Sequence, residues 1–284
     1  MHRALFAHLA AAIALVACAA GPAVVTSSAH AQPQARHQTV QQYTAMTYNM
    51  QSKPYTDLDK FMQDHDIIAI QEAQLNNDRP DGTIACRHTS TGRMVNRPYY
   101  NRQTNGRDRQ PYRLYYFAQG NSNAKNLAFA TKHVPAKCVI LSRHTIDGGT
   151  TWTAKRDVIG LSFGADNTWF WNIHANSSNL ATLIANITLN LIRNGNVTPW
   201  TLLGDFNIDL ITHPNPGLGL QNNETRYDSG GPTHIQGGNL DWMVAENPIP
   251  GYQVRTCQSP AGSDHYPVEF TVNGRTDTCK SISG

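Results

Sequence analysis

Eight polar residues stand where apolar runs stop: Asn49, Glu72, His174, Asp205, Asn207, Asp241, Asp264 and His265. The densest group is Leu202-Leu203-Gly204-Asp205-Phe206-Asn207. As a strand end, its two-residue period puts the Asp205 and Asn207 side chains on one face. The competing reading is a plain turn, because Gly, Asp and Asn are turn formers. Glu72 follows Ile67-Ile68-Ala69-Ile70-Gln71, either as a solvated strand end or as a metal ligand. His174 closes Trp169-Phe170-Trp171-Asn172-Ile173, where a structural histidine is the alternative. Asp264 and His265 are adjacent, ahead of an apolar run. Together the eight supply what metal-assisted attack on a phosphodiester needs. Acidic oxygens suit Mg²⁺, two imidazoles move protons near neutral pH, and amides hold phosphate oxygens.

Short elements must position them. Strands are expected over Tyr43–Met50, over the apolar run that begins at Asp66, and over Leu114–Ala118, Asn126–Thr131, Cys138–Ser142, Val158–Phe163, Thr168–His174 and Val268–Val272. A further strand starts within Gly237–Val244. Thr56 with Asp59 reads as a capped helix start carrying an apolar stripe of Leu58, Phe61 and Met62. Ser177 or Ser178 caps a second helix, whose stripe is Leu180, Leu183, Ile184, Ile187 and Leu191 and whose stop is Gly195. A helix between two strands is a crossover, so part of the sheet is parallel; the consecutive strands before it make the sheets mixed. Residues 212–238, rich in Pro, Gly and Asn, read as loop. Residues 87–113 hold seven arginines and one acid, with Tyr99, Tyr100 and Tyr112 interleaved. They read as one or two long exposed loops, suited to a phosphate backbone or simply solvated. Lys155-Arg156 precedes the Val158 strand.

With 40% hydrophobic and 15% charged residues the chain is globular, not disordered. A net charge of +3 permits an anionic partner without requiring one. Residues 1–31 read as a signal peptide: Arg3, an Ala-rich apolar run, then Ala29-His30-Ala31 as a small-x-small cleavage site. Leu15-Val16-Ala17-Cys18 offers a lipoprotein alternative acylated at Cys18, and either route means export. The mature chain, 32–284, is expected to be one domain with no transmembrane segment. It retains Cys86, Cys138, Cys257 and Cys279. An even count in an exported chain suggests two disulfides, and of three pairings the local one, Cys86–Cys138 with Cys257–Cys279, is favoured. Sequons at Asn176, Asn186, Asn196 and Asn223, the first beside His174, fit a bacterial exported protein better than a glycosylated one.

The chain resembles the DNase I-like endonuclease/exonuclease/phosphatase superfamily. The likeness rests on Thr47-Tyr48-Asn49, Ile70-Gln71-Glu72-Ala73, Ile173-His174-Ala175, Gly204-Asp205-Phe206-Asn207, Leu240-Asp241-Trp242 and Ser263-Asp264-His265-Tyr266-Pro267-Val268, in the family's order. Within it the chain is most similar to cytolethal distending toxin B subunits, through Tyr115-Tyr116, Asn126-Leu127-Ala128 and Arg156 before Val158-Ile159-Gly160. It departs from them in lacking the arginine they carry just before the Asn-Leu-Ala strand, where only Lys125 is nearby, and in its 87–113 region. The resemblance implies a four-layer α/β sandwich of two packed mixed sheets flanked by helices. It implies Mg²⁺ (or Mn²⁺ or Ca²⁺) at Glu72, with Asn49 and Asp264 nearby. Asp205 would orient and help deprotonate water, Asn207 would hold phosphate, and His265, propped by Asp241, would act with His174 as the acid/base pair. Arg156, Lys125, Arg109 and Arg113 are the expected phosphate or DNA contacts. The implied activity is a secreted or periplasmic deoxyribonuclease, delivered to a host nucleus with lectin-like or pertussis-like partner subunits. Two alternatives stand beside it: a phosphoinositide phosphatase or other phosphodiesterase of the same chemistry, and an inactive binding module on the same fold.

Overall fold

Apolar runs bury strands on both faces here, and that sets the architecture. In the computed structural model, residues 43–53, 58–74, 82–88, 94–102, 112–119, 126–142, 144–147, 150–153, 156–165, 167–176, 180–257 and 262–272 are described. All belong to one compact unit, His37–Gly284. In chain order the elements are β1 Ala45–Asn49, α1 Leu58–Asp64, β2 Ile67–Gln71, β3 Gly82–His88, β4 Met94–Arg102, β5 Tyr112–Phe117, β6 Leu127–Thr131 and β7 Lys137–Leu141. There follow β8 His144–Asp147, β9 Thr150–Thr153, β10 Val158–Phe163, β11 Thr168–His174, α2 Ala181–Asn194, β12 Trp200–Asp205, β13 Glu224–Tyr227, β14 Asp241–Glu246, β15 Tyr252–Thr256 and β16 Val268–Val272.

Hydrogen bonds run continuously through fourteen strands, in the order β13-β14-β12-β11-β10-β7-β3-β4-β5-β6-β2-β1-β16-β15. The ribbon folds back at β3 into halves of six and seven strands. Both halves are mixed: β1/β2 and β11/β12 are parallel and most other pairs antiparallel. Period two divides each strand between two cores. Ala45, Ile67, Ala69 and Phe129 of one half meet Phe170, Leu203 and Met243 of the other between the sheets. The alternate residues Met46, Tyr48, Ile68 and Ile70 pack outward on Leu58, Phe61 and Met62 of α1. On the opposite outer face Trp171, Ile173, Trp200 and Leu202 pack on Ile184, Ala185, Leu189 and Ile192 of α2. The result is the four-layer α/β sandwich that the resemblance implies. Burying one such Leu or Ile contributes about 1.5–3 kcal/mol, so the outer helices are held by packing rather than by their own propensity.

Several sequence expectations change. The described part of the 87–113 stretch is strand rather than loop. It contributes β4 and the adjoining ends of β3 and β5 to an antiparallel meander, because strand partners on both sides supply the order that its polar composition lacks. Residues 212–238 are not all loop, since β13 pairs with β14. The hairpin β8–β9 and the strand β15 had no sequence expectation. Helix α2 starts after Leu180, without a capping side-chain bond, and stops at Gly195 as expected. The expected caps Thr56, Ser177 and Ser178 lie outside the described residues, as does the 1–31 segment. Cys86 and Cys138 are bonded. Cys257 is also in a disulfide, while Cys279 lies outside the described residues. No helix among the described residues is long and apolar enough to cross a membrane.

Candidate active site

Register brings the polar residues together at one end of the sandwich. In the parallel pair β1/β2 the last partners are Asn49 and Gln71, and Glu72 follows at once. In the other half, His174 of β11 sits opposite Asp205 of β12, and Asp205 sits opposite Asp241 of β14. These three side chains form a row across neighbouring strands. The β1–β16 pairing then carries Asp264 and His265, just before Val268, up against Asn49. Ser263 Oγ donates to Asn49 O at 2.7 Å, and Asp264 N donates to Gln51 Oε1 at 3.2 Å.

Asp205 and Asn207 do meet, but not by strand alternation. Strand β12 ends at Asp205, and Asn207 turns back in the left-handed region at φ 51°. Glu72 is likewise left-handed, at φ 50°. Such backbone costs roughly 1–3 kcal/mol and persists only where the surroundings impose it. Gly204 cannot be replaced: its φ is 150°, and a Cβ would lie 2.0 Å from Ile173 O. Beneath the turn, Phe206 stacks on Trp242 with ring centroids 3.4 Å apart.

Asp205 is the hub. Its Oδ2 accepts from Asn49 Nδ2 at 3.0 Å and from Asn207 Nδ2 at 3.1 Å, and its Oδ1 accepts from Asn207 N at 2.8 Å. His174 Nε2 lies 3.4 Å from the same Oδ2 and 3.7 Å from Glu72 Oε1. His265 Nε2 lies 3.8 Å from Asp205 Oδ2 and 3.8 Å from Asp264 Oδ1, while its Nδ1 is 2.8 Å from Asp241 Oδ2. Asn207 Nδ2 donates its other hydrogen to Ala175 O at 2.8 Å, so in this geometry the amide serves Asp205 rather than an open phosphate position. Arg156 Nη1 donates to that same carbonyl at 3.0 Å, and its charge acts on both Asp205 and Glu72.

Burial governs the charges. Asp205 is pushed up to about 7 by complete burial, reinforced by Asp241 and opposed by His265, Asn207 and Asn49. For His265, burial disfavours protonation, but the carboxylates of Asp241, Asp205 and Asp264 outweigh it and push the ring up to about 10. Burial also raises Glu72, against the hydrogen bond from Asn49 and the charges of Arg156 and His265. Arg156 is lowered by burial, against Asp205 and Glu72.

The donor set fits a hard divalent cation. Glu72 and Asp264 offer carboxylates beside one another, and Asn49 bonds to Glu72. Asp264 Oδ1 is buried and accepts no hydrogen bond among the described residues, so its lone pairs fit a hard cation. Two other groups bring ligand atoms within 4.8 Å: Asp205, Asp241 and His265; and His234, Asp264 and His265. The first is a proton-holding group, because His265 and Thr233 already bond to Asp241 at 2.8 Å each.

Of the expected residues, Asn49, Glu72, Arg156, His174, Asp205, Asn207, Asp241, Asp264 and His265 assemble here. Arg113 does not. It pairs with Thr131, which pairs with Ile67 at the start of β2, and so lies roughly 15 Å along the strands from Glu72. Lys125 and Arg109 lie outside the described residues. Sequence reasoning missed two supporting groups. Gln71 Nε2 donates to Asn172 Oδ1 at 2.7 Å across the two halves, directly behind Glu72 and His174. Thr233 and His234 approach Asp241 and Asp264 from the Pro- and Gly-rich stretch. Gln71 and Asn172 were legible only as inward positions of apolar strands, and nothing local marks Thr233 or His234. An open groove of about 640 Å³ adjoins the site, lined by Pro232, His234, Ile235, Thr256 and Tyr266 among others.

The sequence matches the model of the Endonuclease/Exonuclease/phosphatase family over residues 46–265. No curated protein matches the chain by sequence. Among solved structures it is similar to CdtB, the biologically active subunit of cytolethal distending toxin, with a TM-score of 0.61 and 20% identity over 82% of this chain and 98% of that one. It is similar to the cytolethal distending toxin of Haemophilus ducreyi, with a TM-score of 0.60 and 19% identity over 82% of this chain and 99% of that one. An endonuclease/exonuclease/phosphatase family protein from Leptotrichia buccalis gives a TM-score of 0.57 and 16% identity over 81% and 99%. At these identities the likeness is one of fold.

Proposed function

The chain belongs to the endonuclease/exonuclease/phosphatase family, and from that premise we propose that it is an exported, divalent-metal-dependent phosphodiesterase that cleaves DNA. Enzymes of the superfamily are hydrolases of phosphoric esters and are in general divalent-metal dependent. One observation carries the reading: two imidazoles, His174 and His265, lie 3.4 and 3.8 Å from a single buried carboxylate oxygen of Asp205, with Glu72 and Asp264 beside them. An inactive binding module has no use for that costly arrangement of buried charge.

Glu72, Asp264 and Asn49 would hold the cation, preferably Mg²⁺ for an all-oxygen set. When bound, it neutralises charge on the phosphoryl oxygens and acidifies water. Asp205, steadied by Asn49 and Asn207, takes a proton from the attacking water; a carboxylate near 7 is well matched to that task. His265, fixed through Nδ1 by Asp241, presents a charged Nε2 to the developing oxyanion. His174 is the second proton-transfer group, placed to protonate the leaving oxygen as the P–O ester bond breaks. Arg156 faces the phosphate. DNA as substrate draws support from the fold shared with the toxin subunit and from the net positive charge. Export through residues 1–31 and association with delivery subunits belong to the same proposal.

Supercoiled plasmid incubated with the oxidised protein and Mg²⁺ should convert to open circles. EDTA should stop it, and His174→Ala or Asp264→Ala should slow it by about 10²-fold or more. A folded wild-type protein that leaves the plasmid intact sinks the nuclease reading. Phosphoinositides and sphingomyelin, tried on the same samples, then decide whether another ester is the substrate.

A further inference from the structure

The segment Thr233–His234 is stitched to the site through its backbone. Tyr266 N donates to Thr233 O at 2.7 Å, Ile235 N donates to Asp264 O at 2.9 Å, and His234 and His265 form an isolated antiparallel bridge. Its two side chains then divide the carboxylates that flank His265. Thr233 Oγ1 donates to Asp241 Oδ2 at 2.8 Å and accepts from Leu240 N and Asp241 N. His234 Nε2 lies 3.3 Å from Asp264 Oδ2, and its ring stands edge-on to His265 with centroids 4.8 Å apart.

We propose that His234 is a positioning residue for Asp264: it engages Oδ2 and so leaves the buried Oδ1 turned into the site as the cation-facing oxygen. The inference rests on the metal-dependent reading above. Its key is the tautomer. Gln236 N donates to His234 Nδ1 at 3.2 Å, so the ring's proton sits on Nε2, facing Asp264. With its proton there, Nε2 faces Asp264 Oδ2 as a close polar contact at 3.3 Å rather than as a free lone pair, and so we assign His234 to the support of Asp264 rather than to the ligand set. The clamps on Asp264 from Gln51 and Ile235 act on its main chain. Among the described residues, its carboxylate has ion-pair contacts with two imidazoles, His234 on Oδ2 and His265 on Oδ1. An outer partner of this kind typically changes metal affinity 10- to 100-fold.

Mn²⁺ titration of the metal-free full chain, by calorimetry or by the Mn²⁺ electron-spin signal, tests this without a substrate. His234→Ala should weaken Mn²⁺ binding about 10- to 100-fold, while His234→Gln, which keeps an N–H donor, should lose less. In nicking assays His234→Ala should raise the Mg²⁺ concentration for half-maximal rate by a similar factor, with the rate at saturating Mg²⁺ within a few-fold of wild type. If His234→Ala does not fold, His234→Phe keeps the ring against His265, removes the donor and decides in its place. Unchanged Mn²⁺ affinity in a folded donor-less variant overturns the positioning role and leaves the metal-dependent reading standing. A wild-type protein that binds no Mn²⁺ overturns both.

Discussion

Asp241 and His265 are 24 positions apart and 2.8 Å from each other, and their pairing decides which protons the site holds. Between about 7 and about 10 the ring is cationic while Asp205 is ionised, a combination that suits a proton acceptor beside a charged donor. Asp241→Asn keeps an acceptor at Oδ but removes the charge. The imidazolium loses its strongest support, so His265 should titrate well below 10. Asp205 loses a repelling neighbour, so its own value should fall as well. Ring-proton NMR of the metal-free protein reads the first directly, and a His265 titration that stays near 10 in Asp241→Asn would show that Asp241 is not its cause. The chemistry of these residues was legible in the sequence because side-chain type is local information. Their partners were not. Nothing near Asn207 announces that its amide is taken up by Ala175 and Asp205, and His234 looked like one more residue of a loop.

Elements buried on both faces were the readable ones. β2, β10 and β11 are mostly apolar, and their observed bounds fall on or within a residue of those expected. β4 reads Met-Val-Asn-Arg-Pro-Tyr-Tyr-Asn-Arg and β13 reads Glu-Thr-Arg-Tyr, so neither shows an apolar period; their order comes from neighbours distant in sequence. The same non-local logic sets the spacing of the two half-sheets. Asn172 is fully buried; it donates to Ile70 O at 3.0 Å and Ala128 O at 2.9 Å, and accepts from Gln71 Nε2. Gln71 in turn accepts from Thr47 Oγ1 at 3.2 Å. This polar bridge inside an apolar interface fixes β2 against β11 two residues before His174 and one before Glu72. Asn172→Leu fills similar space and strands those partners, each at about 1–3 kcal/mol. We expect a loss of about 3–4 kcal/mol in urea unfolding. A loss under about 1 kcal/mol would mean that the bridge is dispensable and that packing alone holds the halves in register.

At the scale of the whole molecule, the site exists only while the two halves stay closed. Asn49 and Glu72 come from one half, and His174, Asp205 and Asp241 from the other; the Asn49–Asp205 bond crosses between them. The ribbon turns from one half to the other through β3, whose parallel ladder with β7 contains just two residue pairs, Arg87–Val139 and His88–Ile140. Beside that short ladder lies the Cys86–Cys138 disulfide, its two residues buried. A bond closing a loop of 52 residues removes denatured-state entropy equivalent to about 4 kcal/mol in the chain-entropy model. It does so where the hydrogen bonding between halves is thinnest. The double variant Cys86→Ala with Cys138→Ala should therefore unfold at a lower urea midpoint, by about 3–4 kcal/mol. Well below its melting temperature it should retain most of its wild-type rate, because among the described residues the disulfide lies in the core between the sheets and shares no hydrogen bond with a site residue. If the midpoint is unchanged, the β3–β7 junction does not limit the molecule's stability. If activity disappears in a variant that remains folded at the assay temperature, the disulfide acts on the geometry between the halves, and the site is less independent of the junction than its hydrogen bonds indicate.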